Sequence, residues 1–320
     1  MTPDHPAIAG IPLVLGGNVF GWTAKGDEGL AVLDRFYEAG GRMIDTADVY
    51  SAWIDGHVGG ESESFIGRWI ASRGVRDDMR IHTKTGMLSK TKGIAPGSMG
   101  DSSLYQPDEV LRALDRSLER LETDYIDLYY AHRDFEDLEI GAIVDAIDGA
   151  FRTGKVRALG ASNFTADRLS AALEHASAHG REPFSALQNQ HNLVARDDYG
   201  PALQDLCTRR GIVMLPFFGL AAGYLTGKYR QPKDFEKGER GYRVKDYAEC
   251  GPAVLAVMDE IAAETGAGLP AIALAWLRTV PGIPAPIASA RNTSQLDELL
   301  EFTTLDLSEG QVDRLDAALA

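Results

Sequence analysis

The chain has 320 residues, of which 44% are hydrophobic and 25% charged, a composition that folds into a globule and excludes intrinsic disorder as its main state. Its 32 basic and 47 acidic side chains give a formal net charge of −15, which argues against a nucleic-acid or anionic-membrane partner, since both reward a basic face. Two cysteines, Cys207 and Cys250, are too few for a disulfide framework.

Residues 1–10 carry no basic segment leading into an apolar run, so no secretory signal is expected. The most apolar stretch, Gly211 to Leu225, is interrupted by Pro216, Gly219 and Gly223. It falls short of the roughly 20 residues that a membrane-spanning helix needs. The expectation is a cytoplasmic protein.

In chain order, strand-like apolar runs alternate with helical periodicity. A strand at Leu13–Gly16 precedes a helix with Leu30, Leu33, Phe36 and Tyr37 on one face. A strand at Met43–Asp45 precedes a helix with Phe65, Ile66, Trp69 and Ile70. Arg80–Thr83 is the third strand. Pro107 then opens a helix whose face is Leu111, Leu114, Leu118 and Leu121. Tyr125–Tyr130 is followed by a helix bearing Ile140, Ile143, Val144 and Ile147. After the strand at Ala158–Ser162, Thr165 is placed to cap a fifth helix. Strands at Ala186–Asn189, Val213–Phe217 and Ile283–Ala288 complete eight. Val254, Val257, Met258 and Ile261 line a late helix, and Ser308 with Gln311 fits a capping box for the last.

Eight strand–helix units predict parallel strands closing into a single-domain (β/α)8 barrel over residues 1–320. The structural rival is an open doubly wound sheet. The turn Leu15-Gly16-Gly17-Asn18 lacks the Gly-x-Gly-x-x-Gly pattern usual there. Two long insertions, at about 84–107 and 223–250, follow the third and seventh strands. Both leave strand C-termini, where lids and binding loops of barrel enzymes sit.

That same rim would collect four reactive side chains. Asp45 ends the second strand, Tyr50 lies in its loop, Lys84 follows the third strand and His132 follows the fourth. A phenol is a poor acid at neutral pH, and an adjacent ammonium favours its phenolate. A buried ammonium tends to lose its proton, so a carboxylate beside it keeps it charged. An imidazole can hydrogen-bond a carbonyl oxygen and orient it. Together they would polarise a carbonyl and deliver a proton to its oxygen. A glycosidase would need two acids, the nearest pair being Asp45 and Glu61, and would leave Lys84 without a role. A divalent-metal isomerase would have only His132 and Asp45, with Lys84 repelling the cation between them.

At these residues the chain resembles the aldo-keto reductase superfamily. The resemblance is carried by MIDTADVY (Met43–Tyr50), HTKTG (His82–Gly86), IDLYYAHRDF (Ile126–Phe135), RALGASNF (Arg157–Phe164), LQNQHNL (Leu187–Leu193), GYLTGKY (Gly223–Tyr229) and PIASARNTSQLDEL (Pro286–Leu299), in family order. It implies a (β/α)8 barrel reducing aldehydes and ketones, or oxidising alcohols, with NADPH/NADP+ or less often NADH. By resemblance Tyr50 is the general acid/base, Asp45 and Lys84 tune it, and His132 orients the carbonyl. Ser162, Asn163 and Gln188 resemble the set that holds the nicotinamide carboxamide, and Gly17, Asn18 and Asp45 are further expected cofactor contacts. Phe217 stands where the family often has a stacking tyrosine. Leu220, Ala221 and Gly223 resemble the segment approaching the pyrophosphate. Ser289, Arg291, Gln295 and Glu298 resemble the region around the adenosine phosphate and adenine, and Arg291 suits a 2′-phosphate. Three positions depart from the family pattern. Leu299 replaces a common asparagine, His191 a common tyrosine, and Ser289-Ala290 a Lys-Ser found in some relatives. The family also includes non-catalytic, cofactor-binding regulatory barrels, a reading that the complete set of four reactive residues argues against.

Asn18, Phe20, Trp22, Trp53, Ile54 and His57 fall on the first two strand-end loops. They are candidates for an apolar and aromatic substrate wall, with Trp22, Trp53 and His132 the expected substrate contacts. The sequence leaves open which carbonyl compound is used and the oligomeric state.

Overall fold

The computed structural model describes residues 5–88, 100–236 and 241–319. Its strands are β1 (Val14–Gly16), β2 (Met43–Asp45), β3 (Arg80–Thr85), β4 (Leu128–Ala131), β5 (Leu159–Ser162), β6 (Ala186–Gln188), β7 (Val213–Met214) and β8 (Ile287–Ala288). All neighbours pair in parallel in the order β7-β6-β5-β4-β3-β2-β1-β8. Between the two ends of that order, Met214 N–H donates to Gly282 O at 2.8 Å and Ile287 N–H to Pro216 O at 2.9 Å. These bonds close the sheet into a (β/α)8 barrel.

Side chains of alternate strand positions fill the barrel. Val14, Met43, Leu128, Tyr130, Ala186, Val213, Leu215 and Ile287 form one buried inner cluster. Tyr130 lies flat against Gly160 of β5, where any β-carbon would collide with its ring. At the N-terminal end of the barrel, residues 5–8 pack across the opening. His82 Nε2 meets Ala7 O at 2.8 Å, and His5 Nε2 meets Ser185 Oγ at 3.0 Å.

The outer layer comprises α1 (Gly26–Glu38), α2 (Glu61–Arg73), α3 (Pro107–Leu121), α4 (Ile140–Ala150), α5 (Ala166–His179), α6 (Pro201–Arg210), α7 (Gly241–Val244), α8 (Gly251–Thr265), α9 (Leu269–Leu277), α10 (Thr293–Leu300) and α11 (Glu309–Ala317). Pro107 occupies the first turn of α3. Val110, Leu114, Leu118 and Leu121 of that helix turn inward and are buried. Burial of each such leucine contributes roughly 1.5–3 kcal/mol. The Thr165 hydroxyl accepts the Arg168 N–H, and Ser308 with Gln311 forms the expected capping box of α11.

The strands are shorter than the apolar runs that announce them. Pro216 has no N–H to give, so β7 ends at Met214 and Phe217 makes only an isolated pairing with Gln190. Pro284 and Pro286 likewise trim the run Ile283–Ala288 to its last two residues. Near Tyr125, the Asp127 carboxylate takes the Ile81 N–H at 2.9 Å in place of a ladder bond. In contrast, β3 runs on to Thr85, so Lys84 lies inside the strand and not after it.

Of the insertion at 84–107, residues 89–99 lie outside the described residues. The rest includes a short 3-10 turn at Ser102–Tyr105. Of the insertion at 223–250, residues 237–240 lie outside the described residues, and the rest includes a series of short helical turns. No described helix is long and apolar enough to cross a membrane.

Candidate functional site

Strand alternation decides which residues of β3 face inward. Lys84 projects to the C-terminal mouth of the barrel and is fully buried, while Thr83 on the opposite face bonds Glu63 of α2. Asp45 ends β2 beside it, also buried. Tyr50 is delivered by a compact turn. Its N–H bonds Ala47 O at 3.1 Å, Ser51 takes φ +73°, and Ala47, Val49 and Ala52 pack against Met87 and Leu88.

The Lys84 ammonium has three protons and finds three acceptors: Asp45 Oδ2 at 2.7 Å, Thr46 O at 2.8 Å and the Tyr50 hydroxyl at 2.9 Å. The Tyr50 O–H in turn donates to Asp45 Oδ2 at 3.2 Å. Burial pushes the Lys84 pKa down, and Asp45 is the largest opposing influence. Such a pair is costly to bury and more costly to break.

His132 follows β4, its N–H held by Thr85 O at 2.8 Å. Its ring centroid stands 6.1 Å from that of Tyr50, at 73°. Burial first, then the Lys84 charge, holds its pKa well below 6.5, so the ring is neutral near pH 7. A neutral imidazole offers one N–H to a carbonyl oxygen without competing for the proton. On the other side of Tyr50 stand Trp53, 6.2 Å away edge-on, and Trp22, 5.6 Å beyond it. Asp45, Tyr50, Lys84, His132, Trp53 and Trp22 therefore come together at one mouth.

Ser162 and Gln188 are register partners at the ends of β5 and β6, and both are buried. The Asn163 amide donates to His132 O at 2.9 Å and to Ser162 Oγ at 3.1 Å, with its backbone at φ +62°. Gly17 packs so closely on β2 that a β-carbon would lie 2.7 Å from Asp45 O. Asn18 and Ser289 bond each other at 2.8 Å, tying the ends of β1 and β8. Beyond β7, Phe217 packs edge-on to Phe218. Phe218, Ala221 and Ala222 are left-handed without being glycine, and Gly223 follows at φ +96°. Strain of this kind concentrates at ligand-binding segments. Arg291 and Glu298 are exposed before and along α10, and the Gln295 side chain accepts the Arg291 N–H at 3.1 Å.

Several expectations need correction. Phe20 does not line the pocket: it is fully buried, stacked 5.4 Å from Phe65. His57 sits in a separate groove between α1 and α2 with Lys25 and Arg68, 4.0 Å from Glu61. Leu299, the departure from the family's common asparagine, is buried in the core on the inner face of α10. The glycosidase reading, already disfavoured by Lys84, loses its second acid as well, because the Glu61 carboxylate caps the Val58 and Gly59 N–H groups at 2.7 and 3.1 Å. The sequence reading also missed two features. Gln188 Nε2 donates to Asp45 Oδ1 at 2.8 Å, and a buried carboxyl pair, Asp48 and Glu63, lies behind β3. The second acid of MIDTADVY, Asp48, was the only local hint of the second feature.

A model of the aldo/keto reductase family matches residues 12–320. The chain belongs to the aldo/keto reductase family. Members use nicotinamide cofactors, and the family together with relatives named as reductases and dehydrogenases supports an oxidoreductase of carbonyl reduction. Norsolorinic acid reductase of Emericella nidulans is 30% identical over 97% of this chain and 79% of its own length. A candidate aryl-alcohol dehydrogenase of Saccharomyces cerevisiae is 30% identical over 96% of this chain and 82% of its own. An NADP+-dependent aryl-alcohol dehydrogenase of Phanerodontia chrysosporium is 28% identical over 92% and 76%.

Proposed function

We propose that this aldo/keto reductase is an NADP(H)-dependent enzyme that reduces aryl aldehydes and ketones, or oxidises the corresponding alcohols, with Tyr50 as the general acid/base. The observation that carries the reading is the 2.9 Å bond from Lys84 Nζ to the Tyr50 hydroxyl, with Asp45 on the ammonium's other side. An ammonium held charged beside a phenol stabilises the phenolate left when the proton departs. In the reducing direction Tyr50 gives its proton to the carbonyl oxygen as charge builds there. His132, neutral and lodged beside Tyr50, donates a hydrogen bond to the same oxygen and fixes its direction.

The residues present suit a nicotinamide dinucleotide. Ser162, Asn163 and Gln188 offer amide and hydroxyl groups for the carboxamide, and Phe217 a face for the ring. The left-handed residues Phe218, Ala221, Ala222 and Gly223 would offer backbone N–H groups to a pyrophosphate. Arg291 is exposed and has no acidic partner among the described residues, as a group awaiting a 2′-phosphate would be. When bound, the reduced cofactor supplies a hydride to the carbonyl carbon. Trp22 and Trp53, edge-on to one another beside Tyr50, form an aromatic wall suited to a flat substrate. The names of the relatives point to aryl compounds as well.

The test is NADPH consumption across benzaldehydes, aryl ketones, aliphatic aldehydes and aldoses. Highest kcat/KM on aryl carbonyls supports the reading, and preference for aldoses overturns the substrate class. Cofactor binding with no turnover of any carbonyl would return the chain to a regulatory role.

A further inference from the structure

Behind β3, on the face turned from the barrel axis, lies a second set of buried ionisable groups. Glu63 of α2 accepts Thr83 Oγ1 at 2.6 Å and Arg120 Nε at 2.7 Å. It is matched as a carboxylate. Asp48 is as deeply placed, at 4% exposure, and its carboxyl accepts a hydrogen bond from the Thr85 side chain, yet its Oδ1 is buried without a partner. The groups facing it are Glu63 from α2, Arg116 and Arg120 from α3, Lys84 and Thr85 from β3, Tyr129 from β4 and Tyr105 from the turn before α3. Arg120 is already committed to Glu63, and Lys84 has spent its three protons elsewhere. Two buried carboxyls of which only Glu63 is bound by a guanidinium do not both ionise readily, even with Arg116 nearby. Burial, then repulsion by Glu63, pushes the Asp48 carboxyl up to about 7.

Asp48 stands two residues before Tyr50, and its N–H bonds Lys84 O at 3.2 Å. Whatever moves Asp48 moves the turn that carries the phenol. We propose that Asp48 is a positioning residue for Tyr50: neutral, its carboxyl anchors the Thr46–Ser51 turn behind β3, and ionised, it loosens that turn and draws the hydroxyl off Lys84. The proposal rests on Tyr50 as the proton donor. An ionised Asp48 either swings toward water or takes Arg120 from Glu63, and both shift the backbone next to Lys84. Misplacement by about 1 Å at a proton donor costs on the order of 100-fold in rate.

Asp48→Ala should lower kcat for an aryl aldehyde at about pH 6 by roughly 10-fold or more, with KM for NADPH within about 2-fold. Asp48→Asn, which keeps the neutral shape, should restore most of that loss and lack the fall in kcat that the parent shows between about pH 6 and pH 8. Superimposable Asn and parent profiles, or an Ala variant with parent kcat, would overturn the proposal. Thermal melting reads the same group without substrate. A carboxyl raised to about 7 contributes stability that is complete below its ordinary value of 3.8 and lost as pH rises through 7. The Tm of Asp48→Asn should therefore gain on the parent between pH 4 and pH 8, and a constant difference would overturn the neutral Asp48. Should Tyr50→Phe retain turnover, the proton-donor reading fails, while the melting series still reports on Asp48.

Discussion

Gln188, at the end of β6, reaches across the barrel mouth and donates its amide Nε2 to Oδ1 of Asp45, at the end of β2, at 2.8 Å. With Oδ2 already bound to Lys84 and Tyr50, both oxygens of a buried carboxylate are occupied. Gln188→Leu keeps the volume and removes the donor. It should lower stability by about 1–3 kcal/mol, the cost of a buried unsatisfied acceptor, in the absence of any cofactor. An unchanged Tm would show that the bond does not matter to the fold.

Tyr50→Phe removes the proton that the site is built to deliver. We expect kcat for carbonyl reduction to fall by about 100- to 10,000-fold, with NADPH affinity by fluorescence titration nearly unchanged. Substantial remaining turnover would assign proton delivery to another group.

Lys84 and Asp45 make a buried pair, so the two ways of losing it should differ. Lys84→Met leaves Asp45 an uncompensated charge and should cost about 3–5 kcal/mol. The double variant Lys84→Met/Asp45→Leu removes both charges and should melt above the single variant, though both are inactive. A double variant less stable than the single would contradict the electrostatic account.

At the far end of the barrel, His5 and His82 are both held neutral. Burial, then the neighbouring His82, lowers His5 to about 4, and burial also lowers His82. The folded chain therefore binds fewer protons than the unfolded chain at acid pH. Stability is complete above about 6.5 and declines as pH falls toward the folded values. The Tm should drop between pH 7 and pH 5, and His5→Gln should flatten that slope. A parent Tm independent of pH over this interval would refute it.

Arg291→Ala should weaken NADPH binding far more than NADH binding, since only the former carries the extra phosphate that a guanidinium grips. Equal losses for both cofactors would withdraw Arg291 from the 2′-phosphate.

The barrel was legible because each strand run was followed by a helix with a clear apolar face, as in Leu114, Leu118 and Leu121 of α3, although Val110 and not the expected Leu111 completes that face. Strand ends were not, because prolines at 216, 284 and 286 interrupt the ladder inside apolar stretches. The juxtaposition of Asp45, Tyr50, Lys84 and His132 followed once strand order was assumed, since all four sit at one rim. Loop aromatics were harder. Trp22 reaches the mouth whereas Phe20, two residues earlier, turns inward onto Phe65, and composition does not separate them. Contacts across the axis, such as Gln188 with Asp45, depend on the barrel's diameter and leave no trace in local pattern.

The ring of strands is unevenly fastened. Seven joints are continuous ladders, while the eighth, between β7 and β8, hangs on the Met214 and Ile287 amides. This is where breathing should begin, and these two amides should exchange with deuterium sooner than their counterparts around Lys84. The segments from Phe217 to Gly223 and from Ser289 to Glu298 flank that same joint. A dinucleotide gripping both would act as a clasp across the weakest stave, slowing exchange there before anywhere else.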